Sequence, residues 1–324
     1  MKTGEAPGIG GSNSLLEAKL HSITQEAEGI FIFEIRPTRG QYFPEVEAGA
    51  HIDLHLANGL SRSYSIVNSQ DDRDRYLIAV KNEVPGRGGS RFIHSEFRVG
   101  QNLTIGRPRN NFRLREASSH SVLIAGGIGI TPLYSMIQRL ERLNRSWELH
   151  YAAAHRERAA FVEQLEILRP KTHFYFRSDH GALDLRQIVK ESRLDADFYC
   201  CGPTRMLLDF ETATASIPPD RVHAEYFTAR DQPALEGGFE VVLQRSDQRV
   251  TIQAGETILD ALIRLEIDVP YSCMEGVCGS CQVGVIEGTP DHRDLILSKE
   301  EREMNDRMLI CCSGSKSAKL VLDL

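Results

Sequence analysis

Seven cysteines occur in this 324-residue chain, and five of them lie after residue 272. Three follow a C-x4-C-x2-C spacing at Cys273, Cys278 and Cys281, and Cys311 and Cys312 come after a further 29 residues. Four thiolates in that pattern hold a plant-type [2Fe-2S] cluster. Gly276 and Gly279 suit the loop, because backbone without side chains can wrap the sulfurs closely and turn its N–H groups toward them. Zinc ribbons use paired C-x2-C units, and only one such unit is present. The spacing leaves Cys311 and Cys312 both open as fourth ligand. Cys311 is preferred, with Cys312 a small core residue beside it. A cluster of this class takes one electron at about −400 mV and cannot accept a hydride, so another group must supply single electrons.

Two upstream segments have the chemistry for a flavin. In Arg62-Ser63-Tyr64-Ser65, Tyr64 offers an aromatic wall, Ser65 a polar group for the ring's N5 edge, and Arg62 a cation. Gly86-Arg87-Gly88-Gly89-Ser90 adds a guanidinium, a hydroxyl and approachable backbone amides, which together make a phosphate cradle. Each segment alone also reads as an ordinary strand or hairpin turn; their order favours the flavin.

A third segment, Gly126-Gly127-Ile128-Gly129-Ile130-Thr131-Pro132, lies between an apolar strand and a helical pattern. It is not G-x-G-x-x-G, yet it places glycines where a helix N-terminus can meet a pyrophosphate. Pro132 fits the first helical turn and Thr131 a cap. Cys201-Gly202-Pro203 closes a later strand, and ligands of open α/β sheets bind outside such strand ends. The Cys201 thiol suits a place beside a nicotinamide ring; Cys200 points the other way, to packing. Tyr226 and Phe227 end this region, and a terminal aromatic can either stack on a flavin or pack in the core.

These motifs need three scaffolds. Residues 1–13 are small and polar and are expected to form a disordered tail. Residues 14–114 carry short alternating runs, which suggest an antiparallel β-barrel for the flavin. Residues 115–228 alternate strand and helix, which implies an α/β domain with a parallel sheet for the nicotinamide. Residues 229–238 have linker composition. Residues 239–324 open with a hairpin pattern, then a helix near Thr257–Leu265, then the cysteine loop: an α+β ferredoxin-type domain.

The net charge of −7 argues against nucleic acid, which demands a basic stripe. Val122–Ile137 is the most apolar stretch, but glycines and a proline break it, so no membrane span is expected. The N-terminal residues lack a signal-peptide core, and the expected location is cytoplasmic.

Together the segments resemble the phthalate dioxygenase reductase family, which includes vanillate O-demethylase reductases, over about residues 15–324. The carriers are R-S-Y-S at 62–65, G-R-G-G-S at 86–90, A-G-G-I-G-I-T-P at 125–132, Y-C-C-G-P at 199–203 and the cysteine set ending at Cys311. The resemblance implies FMN rather than FAD, NADH as donor, a β-grasp ferredoxin fold, and a partner oxygenase with a Rieske centre. By the same resemblance Arg62, Tyr64 and Ser65 contact the flavin, Val80 and Lys81 lie along it, and Gly88, Gly89 and Ser90 hold its phosphate; Ser63 and Arg87, within the same two segments, are read as cofactor-binding with them. Gly126, Gly127, Gly129, Pro132, Gly202 and Pro203 hold the nicotinamide nucleotide, Thr131 and Cys201 flank the hydride path, and Phe227 stacks on the flavin. After strand Glu148–Ala153, His155 and Arg156 stand where an acidic ribose ligand is usual, and Arg156 can meet a 2′-phosphate, which keeps NADPH as the second donor. A di-iron hydroxylase or a cytochrome is the alternative acceptor, and a redox sensor without turnover the alternative class. One chain holding the whole electron path suggests a monomer.

Overall fold

The computed structural model describes residues 15–40, 42–83, 86–177 and 183–324. The expected tail at 1–13 lies outside them.

Strands β1 (Leu16–Ala27), β2 (Ile30–Pro37), β3 (His51–His55), β4 (Ser61–Ser65), β5 (Tyr76–Lys81) and β6 (Asn102–Ile105) form one antiparallel sheet in the order β4-β3-β6-β1-β2-β5. A bridge between Ile66 and Ile78 joins its two edges, so the sheet curls onto itself. Leu20, Phe33, Ile35, Ile52, Leu54 and Ile78 fill its interior. Strand β1 alternates over its first half, with Ala18 and Leu20 fully buried between exposed Glu17, Lys19 and His21, but its second half buries no residue fully and shows no such pattern. The segment read as a phosphate-binding loop is in part helix: α1 runs over Gly89–Glu96. Its N-cap, Gly88, sits at φ 82°, a left-handed value that a side chain would strain.

The second sheet is parallel, in the order β11-β10-β7-β8-β9. Its strands are β7 (Ser121–Gly126), β8 (Trp147–Ala153), β9 (Thr172–Phe176), β10 (Asp197–Cys201) and β11 (Val222–Glu225). Helices α2 (Ile130–Arg142), α3 (Val162–Glu166), α4 (Leu185–Glu191) and α5 (Thr204–Ala213) connect them. Strand β7 is buried along its whole length, as a strand covered on both faces must be. Helix α2 buries Ile130, Leu133, Met136, Ile137 and Leu140, one stripe of a 3.6-residue period. The chain leaves β7 toward β8 on one side and later returns to β10 on the other. The crevice between β7 and β10 is therefore the topological switch point at which such sheets take ligands.

The third unit is a mixed sheet, β13-β12-β18-β14-β16, with β12 and β18 parallel. Its elements are β12 (Phe239–Leu243), β13 (Gln248–Ile252), α6 (Ile258–Arg264), β14 (Gln282–Glu287), β15 (Pro290–Asp291), α7 (Lys299–Met304), β16 (Arg307–Leu309), β17 (Gly314–Ser315) and β18 (Lys319–Leu322). Reciprocal capping boxes start both helices: Thr257 with Asp260, and Ser298 with Glu301. Helix α6 buries Ile258, Leu259, Ala261 and Leu262 against the sheet. The cysteine loop connects α6 to β14. Among the described residues no helix is long and apolar enough to cross a membrane.

Candidate functional site

The ends of all three units open on one cavity of about 660 Å³. Its first wall comes from the curled sheet. Arg62, Ser63, Tyr64 and Ser65 on β4 line it, with Lys81 at the end of β5. Antiparallel register sets His51 directly opposite Ser65, so the two side chains share a face. His51 is 5% exposed, and its Nε2 has no partner. Burial, aided by nearby Arg109, holds the imidazole at about 4, so it is neutral at physiological pH. The Tyr64 hydroxyl is pushed up by burial and stays protonated.

The second wall is the start of α1. Gly89 and Ser90 line the cavity from its first turn, where backbone N–H groups have no intrahelical acceptor. The Ser90 hydroxyl already accepts from the Glu83 amide at 3.2 Å. Arg62 crosses this turn, donating through Nη2 to the Arg87 carbonyl at 3.1 Å. Arg87 itself reaches the cysteine loop: Nη1 donates to the Cys273 carbonyl at 2.9 Å, and Nη2 pairs with Glu275 at 3.0 Å.

The third wall is the switch point of the parallel sheet. Gly126 ends β7, Gly127 and Gly129 follow it, and Gly202 and Pro203 follow β10. The two turns meet so closely that a Cβ on Gly129 would stand 2.2 Å from the Cys201 carbonyl oxygen. Glu225, the last residue of β11, opens onto the same cavity, and Phe227 stands at its mouth, 39% exposed. The Glu225 carboxyl is half-buried, and its Oε2 is sealed from solvent without a partner. Burial raises it to about 8, so it is protonated at neutral pH.

The fourth wall is the cysteine loop, through Cys273, Glu275 and Cys278. Cys273, Cys278, Cys281 and Cys311 are all buried. The Cys273 thiol contacts those of Cys278 and Cys311 and receives the Glu275 amide at 3.3 Å. Cys312 has a different setting: its sulfur lies 3.8 Å from the Leu309 carbonyl and 3.9 Å from the Ser313 hydroxyl. It also fills the space beside Gly276, where a Cβ would come within 2.5 Å of it. Of the two adjacent cysteines, Cys311 is thus the one that touches Cys273. Among the described residues no three His, Cys, Asp or Glu side chains stand around a point for one ion. Two bridged irons require a broader set than a single ion does.

Several sequence expectations are redrawn by these positions. Thr131 lines the cavity but lies within α2, where its hydroxyl donates to the Ile128 carbonyl at 3.0 Å instead of capping. Pro132 is buried in the first turn of α2. Cys201 is fully buried in the core beneath the turn, and its thiol is pushed well up by burial, with nearby Glu225 adding to it. Val80 points into the barrel core while its carbonyl meets the His94 ring, and its neighbour Lys81 faces the cavity. Tyr226 packs in the core and donates to Glu211 at 2.7 Å. Arg156 is paired with Glu166 at 2.6 Å, which ties up the guanidinium expected to meet a 2′-phosphate.

The residues fit polar ligands. The orphaned polar atoms of His51 and Glu225 both belong to side chains lining the cavity, and buried polar groups are normally satisfied. Sequence reasoning missed both residues. Each sits in an ordinary strand context, and only pairing with distant strands brings it to the cavity.

Comparison with known proteins gives a consistent picture. The family of 2Fe-2S iron-sulfur cluster binding domains matches residues 241–315. The phenoxybenzoate dioxygenase subunit beta of Ectopseudomonas oleovorans is 49% identical over 94% of this chain and 96% of its own length. The tetrachlorobenzoquinone reductase of Sphingobium chlorophenolicum is 47% identical, over 96% of this chain and 98% of its own. The solved structure of phthalate dioxygenase reductase, described as a modular structure for electron transfer from pyridine nucleotides to [2Fe-2S], superposes with a TM-score of 0.72. It is 36% identical and covers 96% of this chain and 98% of that one.

Proposed function

Because this chain belongs to the phthalate dioxygenase reductase family of oxygenase reductases, we propose that its cavity is where electrons from NADH pass by way of FMN to a [2Fe-2S] cluster, for delivery to a Rieske-type oxygenase. The observation that carries this reading is the shared cavity: the β4 strand, the α1 start, the β7–β10 crevice and Cys273 with Cys278 all line it. A flavin accepts a hydride and releases electrons singly, and a plant-type cluster carries them one at a time.

The protein's part is binding and orientation. Ser65 is the hydroxyl assigned to the flavin N5 edge, with neutral His51 beside it. Tyr64 supplies the aromatic wall, and Arg62, Lys81 and the first turn of α1 hold the polar side chain and phosphate. Phe227 covers the ring at the mouth. The Gly126–Gly129 turn and Gly202-Pro203 hold the nicotinamide nucleotide. Protonated Glu225 is the donor on the floor of that subsite, since a neutral carboxyl can give a hydrogen bond where a buried carboxylate cannot. Cys201 supports the turn from below. Cys273, Cys278, Cys281 and Cys311 ligate the cluster. The Arg156–Glu166 pair favours NADH over NADPH. The functional units follow the boundaries 14–114, 115–228 and 239–324. Cytosolic thiols stay reduced, which suits a free cysteine set in the cytoplasm, and one chain with the whole path suits a monomer.

Extraction of the purified protein tests this: one FMN and two irons per chain support it, and zinc without flavin refutes it. A second reading, direct delivery of electrons to a quinone, is favoured by the 47% identity to a tetrachlorobenzoquinone reductase. NADH oxidation with a chlorinated quinone, compared with a Rieske oxygenase as acceptor, separates the two.

A further inference from the structure

Asp53 on β3 is 3% exposed, and it does not line the cavity. Three groups converge on its carboxylate. Ser63 of the flavin strand donates to Oδ1 at 2.6 Å, and Arg109 Nη2 to Oδ2 at 2.6 Å. The third donor comes from the cysteine loop: Ser280 Oγ lies 3.3 Å from Oδ2, although the two residues are 227 positions apart. Ser280 stands between two of the cysteines, and its Oγ is 3.2 Å from the Cys278 sulfur. Beside it, Asn111 Nδ2 donates to the Cys278 carbonyl at 3.0 Å. A buried carboxylate–guanidinium pair of the flavin sheet is thus one hydroxyl away from a cysteine of the loop.

That hydroxyl has one proton and two acceptors. A thiolate that ligates iron has no proton to give, so the Ser280 proton goes either to the Cys278 sulfur or to Asp53. Hydrogen bonds to cluster sulfurs and nearby charge both set the potential of such a cluster. We propose that Asp53 is a positioning residue that tunes the cluster by holding the Ser280 proton away from Cys278 and by placing a negative charge, partly neutralised by Arg109, behind it. Both effects disfavour the added electron and keep the cluster a strong reductant. Arg109 acts with the opposite sign. The inference rests on the cluster reading above.

The test is a redox titration of the holoprotein followed by EPR of the reduced cluster, on the wild type, Asp53→Asn and Arg109→Gln. Asp53→Asn removes the charge and frees the Ser280 proton for the sulfur. The expected result is a three- to tenfold shift of the one-electron equilibrium toward the reduced cluster, about +30 to +60 mV at 59 mV per tenfold. Arg109→Gln unmasks the carboxylate and shifts the equilibrium the other way by a similar factor. A merely structural role would damage both variants alike. Unchanged potentials, or shifts of the same sign, overturn the proposal. If Asp53→Asn fails to load a cluster, the Arg109→Gln arm decides alone: a potential unchanged or raised overturns it. A wild-type chain without a [2Fe-2S] signal would instead refute the cluster reading itself, so the two failures are distinguishable.

Discussion

Replacing Glu225 by glutamine tests the electrostatics of the nicotinamide subsite without touching the cluster. The carboxyl is raised from an ordinary 4.5 to about 8 by burial, with one oxygen lacking any partner. Between those values the folded protein keeps a proton that the unfolded chain has lost. The unfolded state then binds fewer protons, so stability falls as pH rises through the window, and the full penalty is present above about 8. At about 1.36 kcal/mol per unit, the ceiling is about 5 kcal/mol. The carboxyl opens on a cavity that water can enter, so about 2–3 kcal/mol is expected after screening. Glu225→Gln removes the penalty. The single tryptophan, Trp147, lies in β8 of the same parallel sheet and reports its unfolding. Urea unfolding followed by its fluorescence should give equal stabilities near pH 4.5. By pH 8 the variant should lead by about 2–3 kcal/mol. A difference that does not change with pH would refute the assignment of a protonated Glu225.

Other outcomes follow from the same geometry. Ser65→Ala should slow NADH-driven flavin reduction about tenfold or more, the worth of one well-placed hydrogen bond, while leaving the cluster's visible spectrum intact; unchanged hydride transfer would remove Ser65 from its role. Cys311→Ser should lose its iron and Cys312→Ser should keep it, measured as iron per chain, because of these two adjacent cysteines Cys311 is the one in contact with Cys273. Gly129→Val should destabilise the parallel sheet by roughly 3 kcal/mol or more, since a Cβ there meets the Cys201 carbonyl at 2.2 Å; thermal unfolding reads this directly.

The sequence displays those parts of the site that are local in the chain. C-x4-C-x2-C, the glycine turn after β7 and R-S-Y-S each carry their chemistry within a few residues, and all of them reach the one cavity. What stays hidden is produced by pairing across distance. His51 becomes an orphaned cavity group only because antiparallel register puts it opposite Ser65. Glu225 gains its raised proton affinity by ending β11, a four-residue strand with no alternation to mark it. Asp53 and Ser280 meet across two units. Helix α1 reads as a loop because two glycines open it, the cap Gly88 and the first helical residue Gly89. Cys201 looks reactive beside Gly202-Pro203, and its burial beneath the turn comes from packing against α2, which spacing does not record.

On the proposed path two electrons enter at the flavin wall as a hydride and leave one at a time at the cysteine loop, the proton passing to solvent. Anaerobic rapid mixing of the holoprotein with one equivalent of NADH, followed by flavin absorbance and freeze-quenched EPR, tests it most directly. Flavin bleaching should come first, with the reduced [2Fe-2S] signal growing as the flavin is reoxidised. A cluster signal that appears without prior flavin bleaching, or bleaching that never passes an electron to the cluster, would contradict that path.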